Sequence, residues 1–312
     1  MLQLRLIIPN HCTEPVLSLL ASDETVISAS FHPGAAVKPA GADLVVCDVL
    51  REHASVLIER LEEIGVASAG EISVLEIEAT RSEPAHRVRR RMPGRGSDVV
   101  VWETLEDRIH QDSVPSVAFF CFTAAAAVIA TVGIVLDSAV LIVGAMVVGP
   151  EYGPLAAAAL ALYHRRWIVA RSALWVLISG LVLAVVVSVL TSFFFDAIQA
   201  RIIAAEGRFF TRFVVDPNIY SAVVAFVAGL VGVMAIGLGR SGALTGVVVS
   251  ATTVPAAAGI GVNAAFGEWG DAGRGAIQLA INVVCLLAGS LAALLGYRFV
   301  RREVEEHPPT QA

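Results

Sequence analysis

Six apolar segments, each about 20 residues or longer, constrain the fold of this chain more than any other feature. A stretch of about 20 apolar residues is long enough to cross the hydrocarbon core of a bilayer as a helix. Only 16 of the 186 residues between 115 and 300 carry a charge. The sequence therefore predicts an all-α membrane domain over residues 114–300, with spans at 115–136, 138–163, 167–195, 219–238, 241–266 and 275–299.

The charged residues divide the chain into two unlike parts. Residues 1–114 carry 11 Arg and Lys against 18 Asp and Glu, whereas residues 115–312 carry 11 against 10. The first residues lack the basic start and cleavage site of a secretory signal peptide, and the four cysteines form no CxxC pair. We therefore expect a cytoplasmic N-terminal domain. The composition excludes a disordered chain and a basic nucleic-acid-binding protein.

Residues 1–79 show the patterns of a small α+β domain. Thr13 and Gly65 stand where a first helix would be capped and a second helix would end. Two roles for the domain remain open. It could bind a small regulatory ligand, as ACT-type domains do, or it could pair with a neighbouring subunit in a homo-oligomer. The order β-α-β-β-α-β is that of the ferredoxin-like fold, with strands at 2–8, 25–32, 43–50 and 71–79 and helices at 14–21 and 52–64.

A basic linker and an amphipathic helix are predicted over residues 80–113, between the two domains. Proline, glycine and six arginines within residues 80–98 indicate an exposed segment. Beside a membrane, such a run is expected to contact anionic lipid headgroups. The arginines assigned to this contact are Arg87, Arg89, Arg90 and Arg91.

The membrane domain has the layout of two related halves. Ser138 and Ser241 lie 103 residues apart at tight joins between spans, and Pro150 and Pro255 lie 105 apart inside the second and fifth spans. Because each half has three spans, an odd number, the two halves must have opposite orientations in the membrane. The sequence therefore predicts an inverted three-plus-three repeat, an arrangement found in transporters.

The distribution of arginine favours one orientation of the spans. With the N-terminus inside, segment 164–171, Arg240 and the tail 301–312 lie on the inner side, and the outer joins are poorer in net positive charge. An excess of Arg and Lys marks cytoplasmic loops. Both termini are therefore predicted to be cytoplasmic.

The second and fifth spans each contain residues that interrupt a helix. Proline removes a backbone donor, and a break inside a membrane is tolerated only within protein or beside a water-filled cavity. Interrupted spans at corresponding positions indicate a transport site. The candidate pathway residues are Gly149, Pro150, Glu151, Gly153 and Pro154 in the second span, and Ser250, Thr252, Thr253, Pro255 and Asn263 in the fifth.

Glu151 is the one carboxylate predicted deep within a span. An ionisable group inside a membrane is costly, so it indicates a functional site that binds a cation or carries a proton. Two structural alternatives remain open. In one, Glu151 pairs with an arginine or caps the broken helix. In the other, the second span ends at Pro150, which places Glu151 at the membrane interface.

Other polar and small residues in the spans have more ordinary interpretations. Asn282 is a further candidate for the pathway, while the glycines of span four, Gly229, Gly232 and Gly237, favour close helix packing. The residues at the two tight joins are expected to cap helices or to anchor the interface: Asp137, Ser138, Arg240 and Ser241.

Two motifs resemble those of a bacterial family of multi-pass membrane proteins called domain of unknown function 389. The first is Asp137-Ser138-Ala139 with Val143-Gly144-Ala145-Met146, followed by Gly149-Pro150 and Gly153-Pro154. The second is Ser241-Gly242-Ala243-Leu244 with Gly246-Val247, followed by Val254-Pro255 and Gly259. The resemblance covers about residues 115–300 and implies a bacterial inner-membrane protein.

These observations predict a channel or secondary transporter for a small solute or ion. The pathway would lie between the second and fifth spans, and the cytoplasmic domain would regulate or assemble it. The alternative is an oligomeric membrane scaffold or ligand sensor that transports nothing. We expect no enzyme activity, cofactor, resident metal or nucleic-acid partner, because no catalytic or metal-ligand spacing is present in the sequence.

Overall fold

The computed structural model describes residues 1–50, 53–77, 114–197, 219–237, 246–247 and 252–306. The chain divides into two compact units, Met1–Leu105 and Glu106–Ala312, which are described separately. The predicted linker and amphipathic helix, the headgroup arginines at 87–91 and the candidates Ser250, Arg240 and Ser241 lie outside the described residues.

The first unit contains a four-stranded antiparallel sheet, as the sequence predicts. Its strands lie in the order β2-β3-β1-β4, and each neighbouring pair is antiparallel. The last strand ends three residues earlier than the predicted 79. The elements are β1 Leu2–Ile8, α1 Thr13–Ser22, β2 Val26–His32, β3 Asp43–Val49, α2 Ala54–Glu63, α3 Val66–Ala69 and β4 Glu71–Glu76.

Every second residue of β1, and of β3 from Val45 onwards, is apolar and belongs to the core of this unit. Successive strand residues point to opposite faces, so every second residue of β1 turns towards the helices. Leu57 and Leu61 of α2 lie four residues apart on one face and pack against the same cluster. The strand residues of the core are fully buried and apolar: Leu2, Leu4, Leu6, Ile8, Val45, Cys47 and Val49.

Asp43, at the start of β3, ties three parts of this unit together. Its Oδ2 accepts a hydrogen bond from Thr13 Oγ1 at 2.6 Å, and its Oδ1 accepts one from the Gly34 backbone N–H at 2.7 Å. These two bonds stabilise the carboxylate and lower the pKa of Asp43. The predicted capping role of Thr13 is wrong, because Cys12 occupies the N-cap position and the Thr13 hydroxyl binds Asp43 instead.

The second unit is helical, and most of its helices are long and apolar. Four of them, α4, α7, α8 and α10, are long enough to cross a membrane, and α5 and α6 form a further candidate span that is bent by 53°. The helices are α4 Val117–Val135, α5 Ala139–Val148, α6 Tyr152–Tyr163, α7 Trp167–Ala197, α8 Ile219–Gly237, α9 Thr253–Ala265 and α10 Trp269–Glu306.

The structure therefore provides four or five membrane-capable helices within its described residues. Of the predicted fifth span, 241–266, only residues 246–247 and the part from 252 onwards are described, and they include the 13-residue helix α9. Along the outer side of α7, exposed apolar residues recur every four positions, which is typical of a lipid-facing stripe: Ile178, Val182, Val186 and Leu190.

Two pairs of helix bounds in the second unit match at a constant spacing. The ends of α6 and α9, Tyr163 and Ala265, are 102 positions apart, and so are the starts of α7 and α10, Trp167 and Trp269.

The turns that follow α6 and α9 also share their backbone hydrogen bonds. After α6, the N–H groups of His164, Arg165 and Arg166 donate to the carbonyls of Leu160, Leu162 and Ala161. After α9, the N–H groups of Phe266, Gly267 and Glu268 donate to Val262, Ala264 and Asn263. Arg165 and Gly267 both have a left-handed backbone, with φ of 57° and 77°. The two helices therefore end in the same way.

Candidate functional site

The second predicted span is interrupted at the predicted residues. Helix α5 ends at Val148, Gly149 is extended with φ −66° and ψ 127°, and Glu151 is the N-cap of α6. Pro150 lacks the N–H that would continue α5, which explains why the helix stops here. Pro154 is the third residue of α6, in the first turn, where a missing N–H costs little.

Gly149 provides the space that the Glu151 carboxyl group occupies. A Cβ placed on Gly149 would overlap with Oε2 of Glu151. The backbone angles of Gly149 are accessible to any residue, so a larger side chain at this position would act by displacing the Glu151 carboxyl group.

The carboxyl group of Glu151 joins the two predicted breaks. The Glu151 side chain is buried, with 6% of its surface exposed. Its Oε1 accepts a hydrogen bond of 2.7 Å from Oγ1 of Thr253, the first residue of α9. Its Oε2 has no hydrogen-bond partner among the described residues. Glu151 is therefore buried inside the protein.

Two helix N-termini meet at this carboxyl group. Glu151 directly precedes the first residue of α6, and its hydrogen-bond donor Thr253 is the first residue of α9. The N-terminal end of a helix carries a partial positive charge, which favours a carboxylate. We call this place, formed by residues 149–151 with Thr252 and Thr253, the joint.

A line of polar side chains continues from the joint into α10. Oγ1 of Thr252 accepts a hydrogen bond of 2.8 Å from Nδ2 of Asn282, and Oδ1 of Asn282 accepts one of 3.1 Å from Nε2 of Gln278. Gln278 and Asn282 are buried and four residues apart, on one face of α10. Sequence analysis missed Gln278, although this spacing to Asn282 is visible in the sequence.

Helices α6 and α9 are enclosed by the rest of the unit. Alanine is the most frequent residue in both, and nine of the 12 residues of α6 and ten of the 13 residues of α9 are buried. A Cβ on Gly261 would lie 2.6 Å from the carbonyl oxygen of Val185 in α7. Small side chains therefore let the neighbouring helices approach closely.

Tyr152, next to Glu151, connects the joint to α8 and α10. Its hydroxyl donates a hydrogen bond of 3.2 Å to the carbonyl oxygen of Gly229, and the same oxygen accepts one of 3.1 Å from Oγ of Ser290. A Cβ on Gly232 would overlap with the Tyr152 ring. As the sequence predicts, Gly229 and Gly232 serve close packing.

The structure does not bring every predicted site residue to the joint. Asn263 is buried, but it lies ten residues after Thr253, about 15 Å along the axis of α9 at 1.5 Å per residue. Pro255 is buried in the first turn of α9, and Gly153 is half-buried in α6. Ser138 is the N-cap of α5, but its side chain makes no capping hydrogen bond.

The preceding residue, Asp137, has a left-handed backbone, with φ 49°. It follows α4 and precedes the N-cap of α5, so it occupies the tight join that the sequence predicts.

Comparisons with known proteins identify the region that contains the joint. No curated protein and no solved structure matches the chain significantly. One family model, however, matches part of the chain. The matched region begins at Met146, in the last turn of α5, and ends within α10, so it includes both sides of the joint. Over residues 146–288 the chain matches the sequence model of the family described as Domain of unknown function (DUF389), and the resemblance inferred from its motifs is confirmed.

Proposed function

We propose that the protein is a bacterial inner-membrane channel or secondary transporter for a small solute or ion, whose pathway passes the joint. The observation that carries this proposal is the buried Glu151 carboxyl group at the place where the N-termini of α6 and α9 meet. Ionisable groups inside a membrane mark ion or substrate pathways, and interrupted helices at corresponding positions mark binding sites in transporters.

The matching helix bounds support an inverted three-plus-three repeat. In this proposal, residues 102 positions apart are equivalent and are exchanged by a pseudo-two-fold axis in the membrane plane. Glu151 and Thr253 are such a pair, and they are in hydrogen-bond contact. Two equivalent residues can touch only close to the axis, so the joint lies on it. The fifth span then consists of α9 and the residues before it.

The orientation and the soluble part of the proposal follow the sequence. Arginines at the α6–α7 turn favour cytoplasmic termini. The strand order β2-β3-β1-β4 is compatible with a ferredoxin-like fold, which would regulate the membrane domain or assemble it into a homo-oligomer. The basic segment with Arg87, Arg89, Arg90 and Arg91 would contact anionic headgroups. No enzyme activity and no cofactor form part of this proposal.

One observation favours the alternative, a membrane scaffold or ligand sensor that transports nothing. The two breaks contact each other directly through Glu151 and Thr253, and alanine-rich helices pack closely around them. In that case Glu151 would act as a structural link between α6 and α9. The alternative and the transport proposal differ in whether ions cross the protein.

Ion flux into liposomes distinguishes the two. Purified protein would be reconstituted and tested with a panel of monovalent and divalent cations, protons and small anions. We expect flux above that of empty liposomes for the wild type and at least a tenfold loss for Glu151→Gln, which keeps the acceptor oxygen for Thr253 but removes the charge. The matched control is Asp196→Asn, which neutralises an exposed carboxylate near the end of α7 and should keep wild-type flux.

Flux in the wild type that Glu151→Gln leaves unchanged would remove the joint from the pathway. The absence of flux across the whole panel would favour the scaffold or sensor.

A further inference from the structure

The line of polar side chains at the joint crosses an otherwise apolar interior. It runs from Glu151 through Thr253 to the adjacent Thr252, and from there through Asn282 to Gln278. Around it lie apolar clusters that include Ala126, Ala130, Ile142, Val254 and Ala258. A polar line of this length inside a membrane protein is costly unless each of its members is satisfied.

Both ends of the line are hydrogen-bond acceptors that lack a donor. Among the described residues, Oε2 of Glu151 and Oε1 of Gln278 are buried and have no hydrogen-bond partner. A buried acceptor without a donor is destabilising, and a carboxylate oxygen is the most costly of this kind. A ligand with positive charge would satisfy the Glu151 oxygen, whereas an anion would be repelled by it.

The break between α5 and α6 contributes further oxygen atoms. The last carbonyls of a helix have no partner within it, and Pro150 has no N–H to offer to the carbonyl of Met146. Unwound carbonyls and the C-terminal ends of half-helices are the groups that coordinate small cations in transporters built from repeats. Helix α5 ends at Val148, so carbonyls of this type lie within a few residues of Glu151 along the chain.

The set of donors at the joint indicates which cation would bind. It comprises one carboxylate, two threonine hydroxyls and backbone carbonyls, all of them hard oxygen ligands. In the described part of the chain, no group of three or more His, Cys, Asp or Glu side chains could hold a metal ion. Transition metals favour nitrogen and sulfur ligands, and divalent cations favour several carboxylates. One carboxylate balances one positive charge.

We infer that the joint binds one small monovalent cation per chain, an alkali-metal ion or ammonium, through Glu151 and the hydroxyls of Thr252 and Thr253. We expect a single site because only one of the two equivalent positions carries a carboxylate. That position is Glu151 in the first half, and its equivalent in the second half is Thr253. The inference rests on the proposed function, since it names the class of ion at the same joint. Binding is nevertheless measured without any flux.

Thermal unfolding of the full-length protein in detergent tests this inference. The probes are LiCl, NaCl, KCl and NH4Cl, each compared with choline chloride at equal ionic strength and pH. A ligand that binds only the folded state raises Tm with the logarithm of its concentration. For a protein of this size we expect about 3 °C for each tenfold rise above Kd. A shift with Li⁺, Na⁺ or K⁺ identifies an alkali-metal site, and one with NH4⁺ alone identifies an ammonium site.

Substitutions at the joint test whether the cation that raises Tm binds there. Glu151→Gln should abolish the shift in Tm, and the control Asp196→Asn should keep it. If Glu151→Gln does not fold, Thr253→Ser and Thr253→Val provide a second route. Serine keeps the hydroxyl and should keep the shift, whereas valine should raise the half-saturating concentration at least fivefold.

The inference is overturned if no cation raises Tm above the choline reference, or if Glu151→Gln shows the wild-type shift. It is also overturned if valine and serine at position 253 respond alike. A shift in Tm without ion flux would contradict the transport function and support the cation site. Ion flux without a shift in Tm would support transport and contradict the cation site.

Discussion

The hydrogen bond between Thr253 and Glu151 allows the most direct test of how the two breaks are held together. Replacing Thr253 with valine keeps the shape of the side chain and removes the hydroxyl. Thr253 is buried, and its hydroxyl donates a hydrogen bond to Oε1 of Glu151. Thr253→Val would therefore remove the side-chain donor of this buried carboxyl group.

The structure allows an estimate of this effect. Leaving a buried polar group without its partner costs about 1–3 kcal/mol, and more if the group is charged. For a unit of roughly 200 residues, 1 kcal/mol corresponds to about 2–4 °C in Tm. A loss of about 2 kcal/mol, the middle of that range, would lower the Tm of Thr253→Val by about 4–8 °C in detergent, whereas Thr253→Ser should stay within about 2 °C of the wild type.

A double-mutant cycle isolates the pair from other effects of the valine. Glu151→Met keeps the length of the side chain but offers no acceptor, so adding Thr253→Val to it should cost less than about 0.5 kcal/mol. Thermal unfolding of all four proteins gives the coupling free energy. If Thr253→Val costs as much in the Glu151→Met background as in the wild type, the hydrogen bond does not hold the breaks together.

Three further predictions concern packing and ionisation elsewhere in the chain. Gly232→Ala should lower Tm by several degrees, since its Cβ would overlap with Tyr152, whereas Gly144→Ala meets no atom within 4 Å and should leave Tm unchanged. Hydrogen bonds lower the pKa of Asp43, so its stabilising effect is complete above the unfolded pKa of about 3.9 and is lost as pH falls through the folded value. Unfolding of the first unit, followed by circular dichroism, should therefore lose less stability on acidification in Asp43→Asn than in the wild type. Burial raises the pKa of the Cys47 thiol to about 12. At pH 8 Cys47 should therefore resist alkylation until the unit is unfolded, as measured by peptide mass spectrometry; rapid labelling of the folded protein would contradict its burial.

The interruption of the second span could be predicted because its cause is local. Gly149, Pro150 and Pro154 act through their own backbone chemistry, so the break and the position of Glu151 within it follow from the sequence. The contact between this break and the start of α9 could also be anticipated, because the predicted pathway lies between the second and fifth spans.

The features that were missed depend on contacts between distant residues. No local rule states which face of α10 turns towards Thr252, so the role of Gln278 was not predicted. Asn263 stays a prediction for the pathway, and it lies ten residues after Thr253, about 15 Å along α9 at 1.5 Å per residue. Helix α10 begins at Trp269, before the predicted sixth span, and Asp271 and Arg274 pair with each other near its start.

Thr13 was misjudged for a similar reason. Its local context predicts a capping residue, but the carboxylate of Asp43, 30 residues later in the chain, binds the hydroxyl. A tertiary partner thus outcompetes the local capping interaction.

The central claim is that Glu151 and Thr253 occupy equivalent positions on an axis through the pathway. Exchanging the two residues tests it most directly, by ion flux into liposomes for the wild type, Glu151→Thr, Thr253→Glu and the double variant. The single variants carry either no carboxylate or two at the joint, and we expect each to lose at least nine-tenths of the flux. The double variant returns one carboxylate and one hydroxyl to the axis and should recover at least a third of the wild-type rate. A double variant as inactive as the single ones, or a wild type no faster than empty liposomes, would contradict the account.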